Sequence, residues 1–243
     1  TGEATEATTP EPTTPAPTEA PTTPEPTEPP TTTEPFAPDF TMDYWDQIIA
    51  EMAHHGLTGG VKILTGENEE EVMRRFTPTN ARRTELDVSG DNVPFSVAWN
   101  YEVTKDVENF WEANFQANLA RDVPTEVDDL IIGVMWIKGS REVESDRYMA
   151  DDDPIFYLAV KTPTDEWATE GDVNPRGEQT VQGEWQKVFF YGRVMNEETN
   201  SSTMILQGFI GYGLQNIQVG GIMAFKFPGN RDNERGAMGL VGF

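Results

Sequence analysis

Two planar amides, Asn114 and Gln116, stand at alternate positions in the segment WEANFQANL, between apolar residues. Successive side chains of an extended strand point to opposite faces. With Trp111, Ala113, Phe115, Ala117 and Leu119 turned to a core, Glu112, Asn114, Gln116 and Asn118 must share the other face. The same arithmetic over 155–161 turns Phe156, Leu158 and Val160 inward and Tyr157 and Lys161 outward. Gln207 breaks an otherwise apolar strand, as a cleft residue does. Trp136, between Met135 and Ile137, faces either the core or a cleft. Planar amides pair donors and acceptors with neighbouring hydroxyls, and an exposed aromatic ring offers a face for stacking. Asn114, Gln116, Trp136, Tyr157 and Gln207 are therefore the candidate set for holding a polyhydroxylated ligand. An ordinary solvated sheet surface produces the same alternation, so the pattern alone supports both readings. Tyr148 and Trp167 lie in polar loop stretches and are further aromatic candidates, whereas Trp99, Trp111 and Trp185 are expected in the core.

Other chemistries find little to work with. The chain has no cysteine and two histidines, the adjacent pair His54 and His55. A Cys/His site is therefore impossible, and neighbours on a helix point about 100° apart, with no third ligand nearby. The GxSxG, P-loop, Rossmann glycine and HEXXH patterns are all missing. Carboxylates are plentiful, but no motif arranges them, and the sequence reads as a non-enzyme. Asp151, Asp152 and Asp153 offer the hard oxygen ligands that calcium takes. Three consecutive acids do not converge without further ligands, so no cofactor is expected, and a structural calcium is the one ion left open.

The charge narrows the partners. Forty-two Asp and Glu against 17 Lys and Arg give a net charge of -25 over 243 residues. A polyanion such as nucleic acid, or an anionic membrane surface, would be repelled. No apolar run approaches the ~18 residues of a membrane span. The first residue is Thr1 rather than Met, as expected of a processed chain or a fragment.

The elements that must position the candidate residues begin after a very different segment. Residues 1–38 hold eleven Pro, thirteen Thr and seven Glu, with no Lys or Arg. Proline fixes φ and disfavours helix in the residue before it, so residues 1–40 are expected to run as an extended polyproline-II stalk at ~3.1 Å per residue. Thr8, Thr9, Thr13, Thr14, Thr22, Thr23, Thr31, Thr32 and Thr33 read as O-glycosylation acceptors, and Asn200-Ser201-Ser202 fits the N-glycosylation sequon. An unmodified linker has the same composition. Such a stalk places the chain outside the cell, secreted or at the cell surface. Residues 41–59 form a junction with a short helix: Asp43 caps it, Trp45, Ile48, Ile49 and Met52 share a face, and Gly56 stops it.

From Val61 the chain reads as eight to ten short strands. Phe95 to Val103 alternates strictly, Leu130 to Ile137 is continuously apolar, and strands follow at 155–160, 185–194, 204–210 and 221–227. Residues 67–76 read as a short helix or an acidic loop. Four pieces then occur in a telling order: WEANFQANL, the strand Leu130–Ile137, the Gly183-Glu184-Trp185 strand start, and Gly211-Tyr212-Gly213 leading to Gly220-Gly221. Together they resemble the carbohydrate-binding module group of families 4, 9 and 22, β jelly rolls often attached to xylanases, over roughly residues 60–227. The resemblance implies polysaccharide or glycan binding without catalysis, and a structural calcium in many members.

The expected fold is thus all-β, a jelly-roll β-sandwich at 60–227 with a short N-terminal helix and a polyproline-II segment before it. Residues 228–243 are set apart as a glycine-rich tail, free to dock on a neighbour. This organisation points first to one role and, as the alternative, to another. One is a structural subunit of a cell-surface or matrix fibre, self-assembling through stalk and tail. The other is the polysaccharide-targeting module of a secreted glycoside hydrolase.

Overall fold

The computed structural model describes residues 43–64, 69–119, 123–141, 147–149, 152–161, 169–170, 179–180, 183–195 and 204–241. All of them belong to the second of the chain's two units, residues 34–243. The expected stalk, and every glycosylation candidate in it, lies outside them, as does Asn200.

Two antiparallel sheets face one another. Sheet A runs in the order β3 (Ala81–Asp87), β4 (Val97–Val103), β12 (Asn216–Phe227), β6 (Leu130–Ser140), β10 (Gln186–Val194) and β8 (Thr169–Glu170), with β1 (Val61–Lys62) also pairing with β12. Sheet B runs β2 (Thr77–Thr79), β5 (Asn114–Asn118), β11 (Ile205–Phe209), β7 (Ile155–Lys161) and β9 (Gln179–Thr180). The all-β sandwich expected from the sequence is what forms. Three helices complete it: α1 (Tyr44–His54), α2 (Glu69–Arg74) and α3 (Arg231–Val241). The segment left open between helix and acidic loop contains α2.

The core lies between the sheets. Tyr101 of sheet A stacks on Phe115 of sheet B, with ring centroids 4.4 Å apart, and Phe156 continues the layer. Both sheets make room for these rings with glycine. A Cβ at Gly208 would enter the Phe115 ring, and one at Gly133 would enter the Phe190 ring. Burial pushes the Tyr101 phenol well above its ordinary pKa. In β12 the facing changes part-way. Ile217 and Val219 point into the core before the bulge between Gly220 and Met223, and Ile222 and Ala224 after it. Gly221 sits there at φ +56°, backbone that glycine adopts without strain.

Sheet A is buried on its outer face as well, which is why Leu130–Ile137 is apolar throughout. Leu130, Ile132, Val134, Met223, Phe225 and Phe227 pack under Tyr44, Ile48 and Met52 of α1, with Leu57 and Ala237. Asp43 caps α1 by accepting from the Trp45 N–H at 2.9 Å, and Gly56 ends it at φ +85°. Ile49, assigned to the apolar face, is 47% exposed, because the buried stripe runs through Tyr44, Ile48 and Met52 instead. Tyr44 donates to Gly221 O at 2.8 Å, and Lys187 pairs with Glu51 at 2.6 Å.

The supposed tail is not free to dock elsewhere. Asn230 caps α3 by accepting from the Asp232 and Asn233 N–H groups. Asn233, fully buried, exchanges two hydrogen bonds with the Thr58 backbone. Gly236 lets the helix close on His55 O, where a Cβ would lie 2.6 Å away. Glycines that read as tail composition are the close-approach positions of a helix seam.

One buried amide ties the two sheets together. Gln215, 2% exposed, donates from Nε2 to Ile155 O at 2.7 Å and Ile210 O at 2.8 Å. Its Oε1 accepts from Ile155 N at 3.0 Å and Arg141 Nη2 at 3.1 Å, and its backbone O accepts from Val103 N at 2.9 Å. Burial lowers the Arg141 pKa, against the opposing pull of Asp152, Tyr148 and Asp106.

Two substitutions test this packing. Gln215→Leu leaves several buried groups unpaired at ~1–3 kcal/mol each, so the urea midpoint should fall steeply at an unchanged m-value. Gly133→Ala forces Phe190 out of its seat and should cost ~1–3 kcal/mol, measured the same way.

Candidate functional site

The register of sheet B decides which polar residues meet. β11 is central, with Phe209 opposite both Asn114 and Tyr157, and Gln207 opposite both Gln116 and Ala159. Ile205 lies opposite Asn118 and Lys161. Residues opposite one another share a face, so three parallel rows form on the side away from the core. Thr79 and Thr77 of β2 extend the Asn114 and Gln116 rows. Four of the five candidates, Asn114, Gln116, Tyr157 and Gln207, therefore come together on adjacent positions of one surface.

The surface is not uniformly wet. Gln116 and Tyr157 are half-buried, whereas Gln207 is 8% and Asn114 6% exposed. Asn114 was expected to face solvent. Instead its Nδ2 donates to Trp111 O at 3.0 Å, holding the neighbouring turn. Its Oδ1 is buried with no hydrogen-bond partner.

That turn corrects the placing of Trp111. The strand does not begin at Trp111. Residues Phe110–Glu112 form a 3-10 turn and β5 starts only at Asn114. The alternation read across WEANF therefore fails at its first residue, and Trp111 is 50% exposed rather than core. Side-chain amides fix the turn from three directions. Asn80 Nδ2 donates to Glu112 O at 2.8 Å, Asn109 Nδ2 to Glu112 Oε1 at 3.0 Å, and Asn114 to Trp111 O. Asn80 holds its position at φ 49°, a left-handed conformation that asparagine tolerates.

The aromatic bed beneath the turn comes from the Gly-Tyr-Gly element. Phe110 stacks on Tyr212 at 4.9 Å and meets Phe209 edge-on at 5.7 Å. Trp111 lies edge-on to Phe110 at 5.1 Å, and Tyr157 packs against Phe209 at 5.9 Å. Gly211 admits the Phe110 carbonyl, to which its own N–H donates at 3.0 Å. A rigid, half-exposed indole thus stands at one end of the amide rows. Its exposed face is an aromatic surface that the sequence pattern placed at Tyr157 and Trp136 instead. Two consecutive aromatics, Phe110 and Trp111, with Asn109 and Asn114 on either side, were the available signal, since a strand cannot bury both neighbours on one face.

Trp136 does not join this site. It lies in β6 of sheet A, paired with Lys187 and Gly220. There it packs edge-on to Phe95 at 6.4 Å, beside the residues under α1. Trp99 is buried with the Arg83 guanidinium 4.4 Å from its ring. Trp185 is half-buried on Phe95 and donates to Asp91 at 2.6 Å. Tyr148 lies beneath the Arg141 guanidinium at 4.5 Å. Trp167 and Asp151 fall outside the described residues. Asp152 accepts from the Met149 N–H at 2.8 Å, and no cluster of three or more metal-ligating residues occurs among the described residues. His54 and His55 meet edge-on at 5.5 Å.

No family profile and no curated protein matches the chain. Several solved structures are similar to it. One is an arabinose-bound GH51 α-L-arabinofuranosidase, with TM-score 0.51 and 9% identity over 74% of this chain and 28% of that one. Another is the CBM22-1 xylan-binding domain from Paenibacillus barcinonensis Xyn10C, with TM-score 0.43 and 7% identity over 70% of this chain and 94% of that one. A third is the apo CBM1 of BiXyn10A, with TM-score 0.41 and 10% identity over 71% and 99%. The chain spans little more than a quarter of the arabinofuranosidase. At such identities the likeness is one of fold.

The pinned turn makes its own prediction. Asn80→Gly keeps the left-handed backbone but removes the bond to Glu112 O, and should cost ~0.5–1.5 kcal/mol in urea unfolding. It should also raise acrylamide quenching of an indole component that Trp111→Phe abolishes.

Proposed function

We propose that this chain is the non-catalytic, polysaccharide-binding part of an extracellular protein, and that the ligand lies along the outer face of sheet B. The observation that carries the reading is Trp111, half-exposed on a turn held by three side-chain amides and adjoining the Asn114 and Phe209 row, next to which Gln116 and Gln207 lie opposite one another. An indole on a rigid mount stacks on a sugar ring with little ordering cost, and planar amides beside it bond paired hydroxyls. Tyr157, over Phe209, gives a second aromatic surface on the same face.

Binding without catalysis fits the same positions. Glycoside hydrolysis needs two carboxyl groups flanking the scissile bond. The outward positions of β2, β5, β7 and β11 carry amides, hydroxyls, apolar side chains and Lys161, and no acid. The extracellular setting rests on the Thr/Pro composition of residues 1–38.

Of the two roles open from the sequence, the targeting module is the better supported. The fibre role relied partly on a free C-terminal tail, and that segment is α3, packed on its own sheet. Affinity electrophoresis of the whole chain in gels containing xylan or mixed-linkage β-glucan tests the reading. At least one polymer should retard the chain. Trp111→Ala, Tyr157→Ala and Gln116→Ala should each weaken retardation about tenfold or more, roughly 1.4 kcal/mol. Unretarded migration in every polymer, with filaments of the native protein seen by electron microscopy, would restore the structural role.

A further inference from the structure

The outer face of sheet A is covered over only part of its area. Helices α1 and α3 lie over the stretch of β6 and β12 that runs through Leu130, Ile132, Val134, Met223, Phe225 and Phe227. Beyond that stretch the alternation continues. Trp99, Tyr101, Ile137, Ile217 and Val219 point into the core. Asn100, Glu102, Lys138, Ser140, Asn216 and Gln218 therefore point outward, and none of them is buried.

Register lines these residues up across the strands. Gln218 of β12 lies opposite Asn100 of β4 and Lys138 of β6, and Asn100 lies opposite Thr84 of β3. Asn216 lies opposite Glu102 and Ser140, and Glu102 opposite Arg82, with which it pairs. Two polar rows thus cross four strands. Asn100 Nδ2 donates to Asn216 Oδ1 at 3.1 Å and links them. The Gln218 carboxamide makes no hydrogen bond among the described residues, so its donor and its acceptor are both left over.

An indole stands at the end of the Gln218 row. Trp185 directly precedes Gln186, whose partner is Ile137, and so comes beside Lys138. It is half-buried, edge-on to Phe95 at 5.6 Å, and its Nε1 donates to Asp91 at 2.6 Å. Phe95 lies in turn across Gly220, where a Cβ would enter its ring. Beside the row a cleft of about 220 Å³ opens, lined by Lys138, Gly139, Ser140, Arg141, Gly183 and Gln218. Amides in register meet the spaced hydroxyls of a sugar chain, and an indole fixed from two sides stacks on a pyranose ring with little ordering cost.

Taking its ligand class from the polysaccharide reading above, but none of its residues, we propose a second polysaccharide-binding surface on the outer face of sheet A. A neutral glycan lies along the Gln218 row against Trp185. The two surfaces face opposite ways, so one domain holds two polymer chains and links them.

Isothermal titration calorimetry of the full chain with xylohexaose, and with a hexasaccharide of mixed-linkage β-glucan, counts the surfaces. The wild type should bind two equivalents of at least one of them. Trp111→Ala combined with Gln116→Ala, which disables the sheet B face, should leave one. Adding Gln218→Ala or Trp185→Ala to that double variant should weaken the remaining equivalent about tenfold or more. Circular dichroism and the urea midpoint establish that the variants fold. Gln218→Ala, with no internal bond to lose, decides the matter should Trp185→Ala loosen Phe95. A single equivalent that vanishes in the double variant overturns the inference and leaves the sheet B reading in place. A second equivalent indifferent to Gln218→Ala does the same. A single equivalent lost with Gln218→Ala but not with the double variant upholds this surface and overturns the other. No binding of either sugar by any form, with free migration in the gel assay, overturns both.

Discussion

Gln215 is the interaction on which the geometry of this sandwich depends. Its carboxamide closes hydrogen bonds to the first residue of β7 and to Ile210 just past β11, both in or beside sheet B. Its backbone carbonyl holds Val103 at the end of β4 in sheet A. It lies immediately before β12, the longest strand and the one that pairs with both β4 and β6. A buried amide with every partner in place fixes distances that apolar packing alone leaves adjustable. The same link fixes the Gly211–Gly213 turn, because that turn spans Ile210 and Gln215. Tyr212 on that turn is the bed for Phe110, so the position of Trp111 is set from the interior outward.

The body of the fold was legible because its signals were periodic. Alternation marked β4, β5 and β7, and the continuous apolar run marked β6 as covered on both faces. The outward facing of Gln116, Tyr157 and Lys161 followed from the same period. The errors have physical causes. WEANF alternates perfectly, but three asparagines, one of them 32 residues from the carbonyl it holds, bind Phe110–Glu112 into a turn, and no local pattern announces a distant cap. Trp136 was offered to a cleft although its own strand was apolar on both sides. A residue in such a strand has helix or sheet over it whichever way it points. The C-terminal glycines were read for their flexibility. Gly236 acts by its smallness, admitting the backbone of His55.

Fold and function separate clearly in this molecule. A sandwich shared at 9% identity with part of an arabinofuranosidase transfers no side chain. What distinguishes this surface is local: an indole on a braced turn, amides in register across two strands, and a tyrosine packed on phenylalanine. Each depends on a different element, and their coincidence on one surface is the argument for a ligand there. The part of the other surface where α1 and α3 lie presents no comparable arrangement among the described residues, since its aromatics are spent on packing.

The placement of α1 has a mechanical corollary. Helix α1 lies on the outer side of sheet A, and the half-exposed indole is on the side of sheet B. A force applied between the indole and α1 must traverse the full thickness of the body. Such a load arrives at α1 as a force peeling it from its sheet, resisted by the Tyr44 bond to Gly221 and the Lys187–Glu51 pair. Those two anchors, rather than any strand ladder, would set the force at which α1 yields.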